Sequence, residues 1–409
     1  MKWRHWALGV IGFTAFVGMT VFFWDPLLWQ RYVGTMMNAN DPEVINLYPT
    51  EAVINQQVRE LPVPKAGERT VSDDALKAMA DYAARFDSYG LVVLHKGVVQ
   101  SEWYRDGWDR YRFTQSQSMH KSLLPILIRF AIEDGVIASV DDPVGQYIKE
   151  WAKKEKGKIT IKQLMTMSSG LYEYPFSLNP FSDAFQWLFS SETTDILLDT
   201  PLDHEPGTQF VYNNVNSEIL GLIIERTTGK RYSEYLAEKL WQPLGNMPAQ
   251  VWVDEEGGKA HTSCCLLAST MDWARFGAML AKGGLLYGRR IVDEDWIEEM
   301  VTPSELNPWY GYQIWLGYQP GNPRTSPAGG YQQTEPFLAD DTYYASGYGA
   351  QRVYVVPSEE LVIVRMGPAD VRSPLKPGWD NSFLVNTALR GLKRTADDGP
   401  ARPSALYSQ

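Results

Sequence analysis

Only two of the 409 residues are cysteine, and they are neighbours, Cys264 and Cys265. That excludes a disulfide framework and any C-x-x-C metal or redox spacing. Adjacent cysteines rarely pair, because disulfide geometry strains the peptide between them, so the two are read as small buried apolar residues. Histidine is also scarce. His5, His95, His120, His204 and His261 stand apart, with no i, i+4 pair, so no metal site and no cofactor are expected. Positive charge is short as well: the formal net charge is -11, and no Lys/Arg cluster follows the N-terminus. Nothing therefore points to nucleic acid, and an acidic surface of this kind is what solubility alone requires. No G-x-S-x-G elbow occurs, which argues against a Ser-His-Asp hydrolase built around one. No internal repeat is visible.

What is present begins at the N-terminus. Lys2 and Arg4 precede nineteen uncharged residues from Trp6 to Trp24. At 1.5 Å per residue, a helix of that length matches a hydrocarbon core of about 30 Å. Tryptophan at both ends suits the two interfaces, and the basic residues favour a cytoplasmic start, residues 1–5. No A-x-A-like cleavage site follows. The run is therefore expected to be an uncleaved transmembrane signal anchor over residues 6–24, with the remaining chain on the exported side. Residues 25–75 are rich in Pro, Asn and Gln and read as a linker or wrapping arm. Residues 396–409 read as a disordered tail.

Between them lie strand patterns at both ends and helical patterns in the middle. The segment Gly90 to Tyr104 reads as two strands turning at Lys96-Gly97. Further strands are expected over Tyr310 to Tyr318, Gln351 to Val356 and Leu361 to Met366. Helices are expected from Ile159, over Asn216 to Arg226, over Asp272 to Ala281 and near Phe383 to Leu392. The stretch Met119 to Ile132 is apolar nearly all round and reads as a buried central helix, bent at Pro125. The pattern is that of an α/β (α+β) unit, residues 76–395, holding a helical insertion within about 140–305.

The chemistry-bearing residues form three groups. Ser118-Met-His-Lys121 is an S-x-x-K motif, whose i, i+3 spacing puts both side chains on one helical face. A serine at the start of such a helix has backbone N–H groups at hand for an oxyanion, and burial lets the lysine act as a neutral base. Chance alone supplies about one or two such motifs in a chain of this length. A second, Ser373-Pro-Leu-Lys376, lies among prolines with no apolar helix after it and is set aside. Tyr212-Asn-Asn214 follows the turn Glu205-Pro-Gly207 and precedes a helix. A tyrosine near a lysine loses its proton more easily and can relay it, and Asn214 can donate to a substrate carbonyl or fix Lys121. Alone, a Y-x-N of this kind is most often a packed tyrosine and a capping asparagine. The third group is Ala345-Ser346-Gly347-Tyr348-Gly349, which leads into a strand. Its glycines admit the close approach of a substrate backbone to the strand edge, and the Tyr348 amide is the candidate second oxyanion donor beside that of Ser118. By itself it reads as a glycine-rich hairpin.

The order and settings of these groups resemble the serine β-lactamases and penicillin-binding proteins, in the class C β-lactamase-related branch. The likeness spans roughly residues 75–395. It includes Ile159-Thr-Ile, Met167-Ser-Ser-Gly170, Pro206-Gly207, Gly221-Leu-Ile-Ile-Glu225 and Trp241-Gln-Pro-Leu-Gly245. Ser-Met-His-Lys-Ser is also similar to the motif of 6-aminohexanoate-oligomer hydrolases and related esterases. The resemblance implies a mixed, largely antiparallel sheet flanked by helices, with a helical domain beside it and the active site between. It also implies Ser118 as the acylated nucleophile, Lys121 as its base and Tyr212 as the relay to the leaving group. One position departs. Relatives begin the third motif with Lys or His, where this chain has Ala345, so a carboxylate-bearing β-lactam lacks its usual partner. The expected activity is hydrolysis of a small-molecule or peptide-like ester or amide through an acyl-enzyme. The alternatives are D,D-peptidase or β-lactamase action, or a non-catalytic binding or sensor protein that keeps the fold.

Overall fold

The computed structural model describes residues 25–38, 48–317 apart from 66, 176, 178 and 180, then 333–368 and 379–393. The apolar run Trp6 to Trp24, the tail 396–409 and the second S-x-x-K at Ser373 lie outside them. Among the described residues no helix is long and apolar enough to cross a membrane.

Two antiparallel sheets organise the chain. Ten strands build them: β1 (Thr50–Val53), β2 (Gly90–His95), β3 (Val98–Tyr104), β4 (Thr114–Gln115), β5 (Ala249–Trp252), β6 (Leu266–Ala268), β7 (Trp315–Leu316), β8 (Tyr343–Gly347), β9 (Gln351–Val356) and β10 (Leu361–Met366). The large sheet has the order β3-β2-β10-β9-β8-β7, and the small one β1-β5-β6-β4. The ends of the chain thus meet in the large sheet, with Leu361–Met366 pairing to His95–Gly90. Strand β2 is buried along its whole length, as are β9 and β10. That suits a Val/Ile/Leu-rich run covered on both faces. The β2–β3 hairpin turns at Lys96 and Gly97, both at positive φ (53° and 77°), which a two-residue hairpin loop requires. The strand expected over Tyr310 to Tyr318 shrinks to β7, because Gln313 adopts φ 52° and turns the chain before it can pair with β8.

Helices α1 (Pro26–Asn38), α2 (Asp73–Arg85), α3 (Leu124–Glu133), α4 (Asn214–Thr228), α5 (Thr270–Ala281) and α6 (Phe383–Arg390) pack around the sheets. Helices α2 and α6 share one apolar cluster with the outer face of the large sheet. Helix α5, begun by a Ser269–Asp272 capping box, covers the other face. Within residues 25–75, Pro26–Asn38 is helical, and Leu28 of α1 packs on Phe185 and Phe189. Strand β1 is woven into the small sheet by pairing with β5.

Helix α3 lies at the centre, with Leu124, Ile126, Leu127 and Ile128 all fully buried. Burial of each such side chain is worth about 1.5–3 kcal/mol, so this helix is held firmly against α4. The expected single helix from Met119 is in fact two pieces, a 3-10 helix over Gln117–Leu123 and α3 from Leu124. Pro125 therefore falls in the first turn of α3, where its missing N–H costs no hydrogen bond.

Candidate active site

The 3-10 turn Gln117–Leu123 carries both Ser118 and Lys121. It is entered from β4, and Ser116 N donates to Leu266 O on β6 at 2.9 Å. Gln117 then takes φ 51°, a left-handed conformation that costs a side-chain-bearing residue roughly 1–2 kcal/mol. Gly347 on β8 explains how the large sheet reaches this turn. A Cβ there would stand 2.4 Å from Ser116 O, so only glycine lets β8 lie against the residues preceding Ser118. The close approach expected at this glycine is made by the chain's own backbone. In a 3-10 helix residues i and i+3 eclipse, which stacks Lys121 directly over Ser118. Lys121 Nζ donates to Ser118 Oγ at 2.9 Å and also to the carbonyl of Ser263. The lysine is 1% exposed. Burial lowers its pKa to about 7, against an opposing pull from Glu218.

Tyr212 arrives from a loop pinned to the turn Met167–Gly170. Val211 N donates to Met167 O at 2.9 Å, and the Asn213 amide donates to Leu171 O at 2.9 Å and Tyr172 O at 3.1 Å. This is what the Met-Ser-Ser-Gly phrase does: it seats the tyrosine. The Tyr212 hydroxyl hydrogen-bonds Ser118, and Lys121 Nζ lies 5.3 Å from the centre of its ring. Burial pushes the Tyr212 hydroxyl up to about 12, although the Ser118 hydrogen bond and the Arg352 charge pull it down. The expectation that this tyrosine loses its proton readily is thereby corrected. The lysine gives up its proton near neutrality, and the tyrosine holds its own.

Other expectations shift too. Asn213, not Asn214, is the buried capping asparagine of α4, accepting from Val215 N at 2.9 Å. Asn214 is the exposed first residue of that helix. Lys121 is fixed by the Ser263 carbonyl instead. Ser346 and Gly347 lie on β8, opposite Arg352 and Gln351, and exposed Tyr348 follows the strand. The Ser118 amide has no hydrogen-bond partner among the described residues. Ala345 faces the main apolar core and is 1% exposed. Tyr343 and Tyr344, before it on β8, are core residues as well. The aromatic wall beside Tyr212 is built from Trp315, stacked at 5.5 Å, with Tyr310 and Phe210 edge-on to one another.

Sequence reasoning missed four residues near the pair. Cys264 and Cys265 are joined to each other by a disulfide, which corrects their reading as unpaired residues. Cys265 reaches this with φ 82°, a conformation no sequence pattern announced. His120 Nδ1 donates to Cys264 O, and its Nε2 accepts from the Tyr232 hydroxyl at 2.8 Å. Burial holds that imidazole neutral, with its pKa lowered to about 4. Glu218, fully buried on α4, accepts from Ser263 N at 3.0 Å. An acid placed directly before the apolar run Ile219-Leu-Gly-Leu-Ile-Ile, within the same helix, was the signal available for it.

An antiparallel sheet flanked by helices, with a serine–lysine pair at the foot of its central helix, marks a serine hydrolase. A family model described as beta-lactamase matches residues 74–376, and the chain belongs to that family. It is 27% identical over 296 residues to a 6-aminohexanoate-dimer hydrolase of Paenarthrobacter ureafaciens, covering 67% of this chain and 71% of the relative. Among solved structures, it is similar to a Bacillus anthracis protein provisionally named 6-aminohexanoate-dimer hydrolase. That match has a TM-score of 0.65 at 22% identity, over 82% of this chain and 88% of the other. A D-stereospecific amidohydrolase from Streptomyces shares the fold with a TM-score of 0.54 at 16% identity, over 79% of this chain and all of the other.

Proposed function

We propose that the chain hydrolyses an ester or amide through an acyl-enzyme on Ser118. The observation that carries this reading is the 2.9 Å contact between Ser118 Oγ and a buried Lys121 whose pKa lies at about 7. Neutral Lys121 takes the Ser118 proton as Oγ attacks the substrate carbonyl. The amides of Ser118 and Tyr348 receive the oxyanion, and Asn214 donates to the substrate. Protonated Tyr212 gives its proton to the leaving group and recovers one from Lys121. Water then attacks the ester carbonyl by the same relay and frees the acid.

The substrate class follows from polarity. Arg352 is buried and donates to the carbonyls of Gly347 and Gln351, so its charge acts on Tyr212 and the strand. With Ala345 in the core, uncharged esters and amides fit this pocket better than carboxylate-bearing β-lactams. The likeness to a 6-aminohexanoate-dimer hydrolase supports cleavage of an amide bond. The run Trp6 to Trp24 supports an anchor with the catalytic domain on the exported side.

A fluorophosphonate probe on the purified full chain tests the reaction. Label confined to the peptide holding Ser118, and lost in Ser118→Ala, is the expected result. Label elsewhere, or none, would sink the acyl-enzyme. Membrane fractionation tests the anchor, and full-length chain in the soluble cytoplasm would refute it.

A further inference from the structure

A buried ion pair lies one residue behind the candidate base. Glu218 and Lys259 are joined with side-chain exposures of 0% and 5%. Such a pair is a poor stability device, since taking two charges out of water offsets most of their attraction and apolar residues of like volume serve as well. What distinguishes this one is its contacts. Glu218 Oε2 takes Lys259, while Oε1 takes the backbone N–H of Ser263 at 3.0 Å. Ser263 in turn presents its carbonyl to Lys121 Nζ. The strap His261–Cys265 is pressed onto α4 at the same place. Thr262 Oγ1 donates to Ser217 O at 2.9 Å, and a Cβ on Gly221 would stand 2.4 Å from Thr262 Oγ1.

We propose that Glu218 is a positioning residue for Lys121: it anchors Ser263, whose carbonyl holds the lysine against Ser118, and supplies the negative charge facing that lysine. The inference rests on Lys121 being the base. Around the carboxylate stand Lys259, just before the strap, and His261 on it, the latter with Nδ1 at 3.9 Å. His120 and Lys121 face it from the 3-10 turn, and Tyr232 from the helix after α4. Asp254 and Arg31 lie behind His261, and Arg352 lies beyond Tyr212. Of these charged neighbours, Glu218 is the one that opposes the effect of burial on Lys121. Burial would raise the Glu218 carboxyl, but Lys259, His261 and the Ser263 N–H hold it at about 2, so it stays charged throughout the working range.

The experiment is the pH profile of kcat/KM for a neutral nitrophenyl ester in Glu218→Gln, with fluorophosphonate labelling of Ser118 in parallel. Glutamine keeps an acceptor for Ser263 N–H but removes the charge. The acid limb should therefore move to lower pH by at least about half a unit. Because Glu218→Gln leaves Lys259 buried without its partner, Glu218→Gln/Lys259→Met is the second variant, and its limb should move the same way. Limbs that superimpose on wild type, with only thermal stability lowered, would reduce Glu218 to a structural role. A double variant that fails to fold would overturn the proposal too, because the pair would then be a requirement of folding. If wild type itself shows no label at Ser118, the underlying reaction fails, and that outcome is separate from an unmoved limb.

Discussion

Lys121 Nζ stands 2.9 Å from Ser118 Oγ while its other hydrogen bond runs to the Ser263 carbonyl. Held between the two in a buried site, the amine has a pKa lowered to about 7. In the proposed reaction the neutral amine is the base. Below about pH 7 its fraction falls tenfold per unit, and above it the base is fully available. We expect kcat/KM for a neutral ester to drop with that slope on the acid side and to level off above neutrality. Measurement from about pH 5 to 9 checks it. A profile flat through pH 7 would remove Lys121 from the role.

Lys121 and Tyr212 both reach Ser118, one from the 3-10 turn and one from the loop held by Met167. If they pass one proton between them, losing either disables the other. Lys121→Ala, Tyr212→Phe and the double variant should then all lose similar activity, on the order of 10³-fold or more. Rate losses that multiply across the cycle would mean two independent contributions.

Gly347 is a sharper test of the packing. Its missing Cβ leaves Ser116 O in contact with β8, and an alanine would meet that backbone oxygen at 2.4 Å. Neither partner can rotate away. Gly347→Ala should displace β8 from the nucleophile turn at a cost of about 1–3 kcal/mol, seen as a lower Tm. It should also lower kcat/KM about 10- to 100-fold, more through kcat than KM. Unchanged kcat in a folded variant would show that β8 does not position the turn.

Much of this arrangement was legible in the residues alone. The Lys96-Gly97 hairpin, β9, β10 and the capped helices α4 and α5 announce themselves through local rules of turn, period and cap. The Ser118–Lys121 spacing is also local, which is why it could be read. The partners of Lys121 were not legible, because Ser263 and Glu218 lie far along the chain and meet it only through tertiary packing. The same holds for Tyr212, whose proton affinity is set by burial and not by its motif. Asn213 and Asn214 were confused because either can precede a helix. The φ of −137° at Asn213 and its side-chain bond from Val215 N mark it as the cap.

Substrate charge is the last question the geometry raises. The resemblance to serine β-lactamases implies a cation at the start of the third motif, but Ala345 points into the main core at 1% exposure. Arg352, the nearest cation on the adjoining strand, has its Nη1 on Gly347 O at 3.2 Å and Gln351 O at 2.9 Å, and its Nε on Asn381. Turning it towards a substrate would strip those carbonyls of their donor. A charge-assisted hydrogen bond to a carboxylate is worth roughly 1.5–3 kcal/mol, or about 10- to 150-fold. Nitrocefin should therefore be hydrolysed poorly beside a neutral nitrophenyl ester when kcat/KM is compared on the same preparation. Ala345→Lys is not a simple rescue here, since it would bury an ammonium in an apolar cluster. It should lower Tm before it helps nitrocefin. Arg352→Met should leave the ratio of the two substrates nearly unchanged. Efficient nitrocefin turnover by wild type, lost in Arg352→Met, would instead show that the guanidinium does reach the substrate.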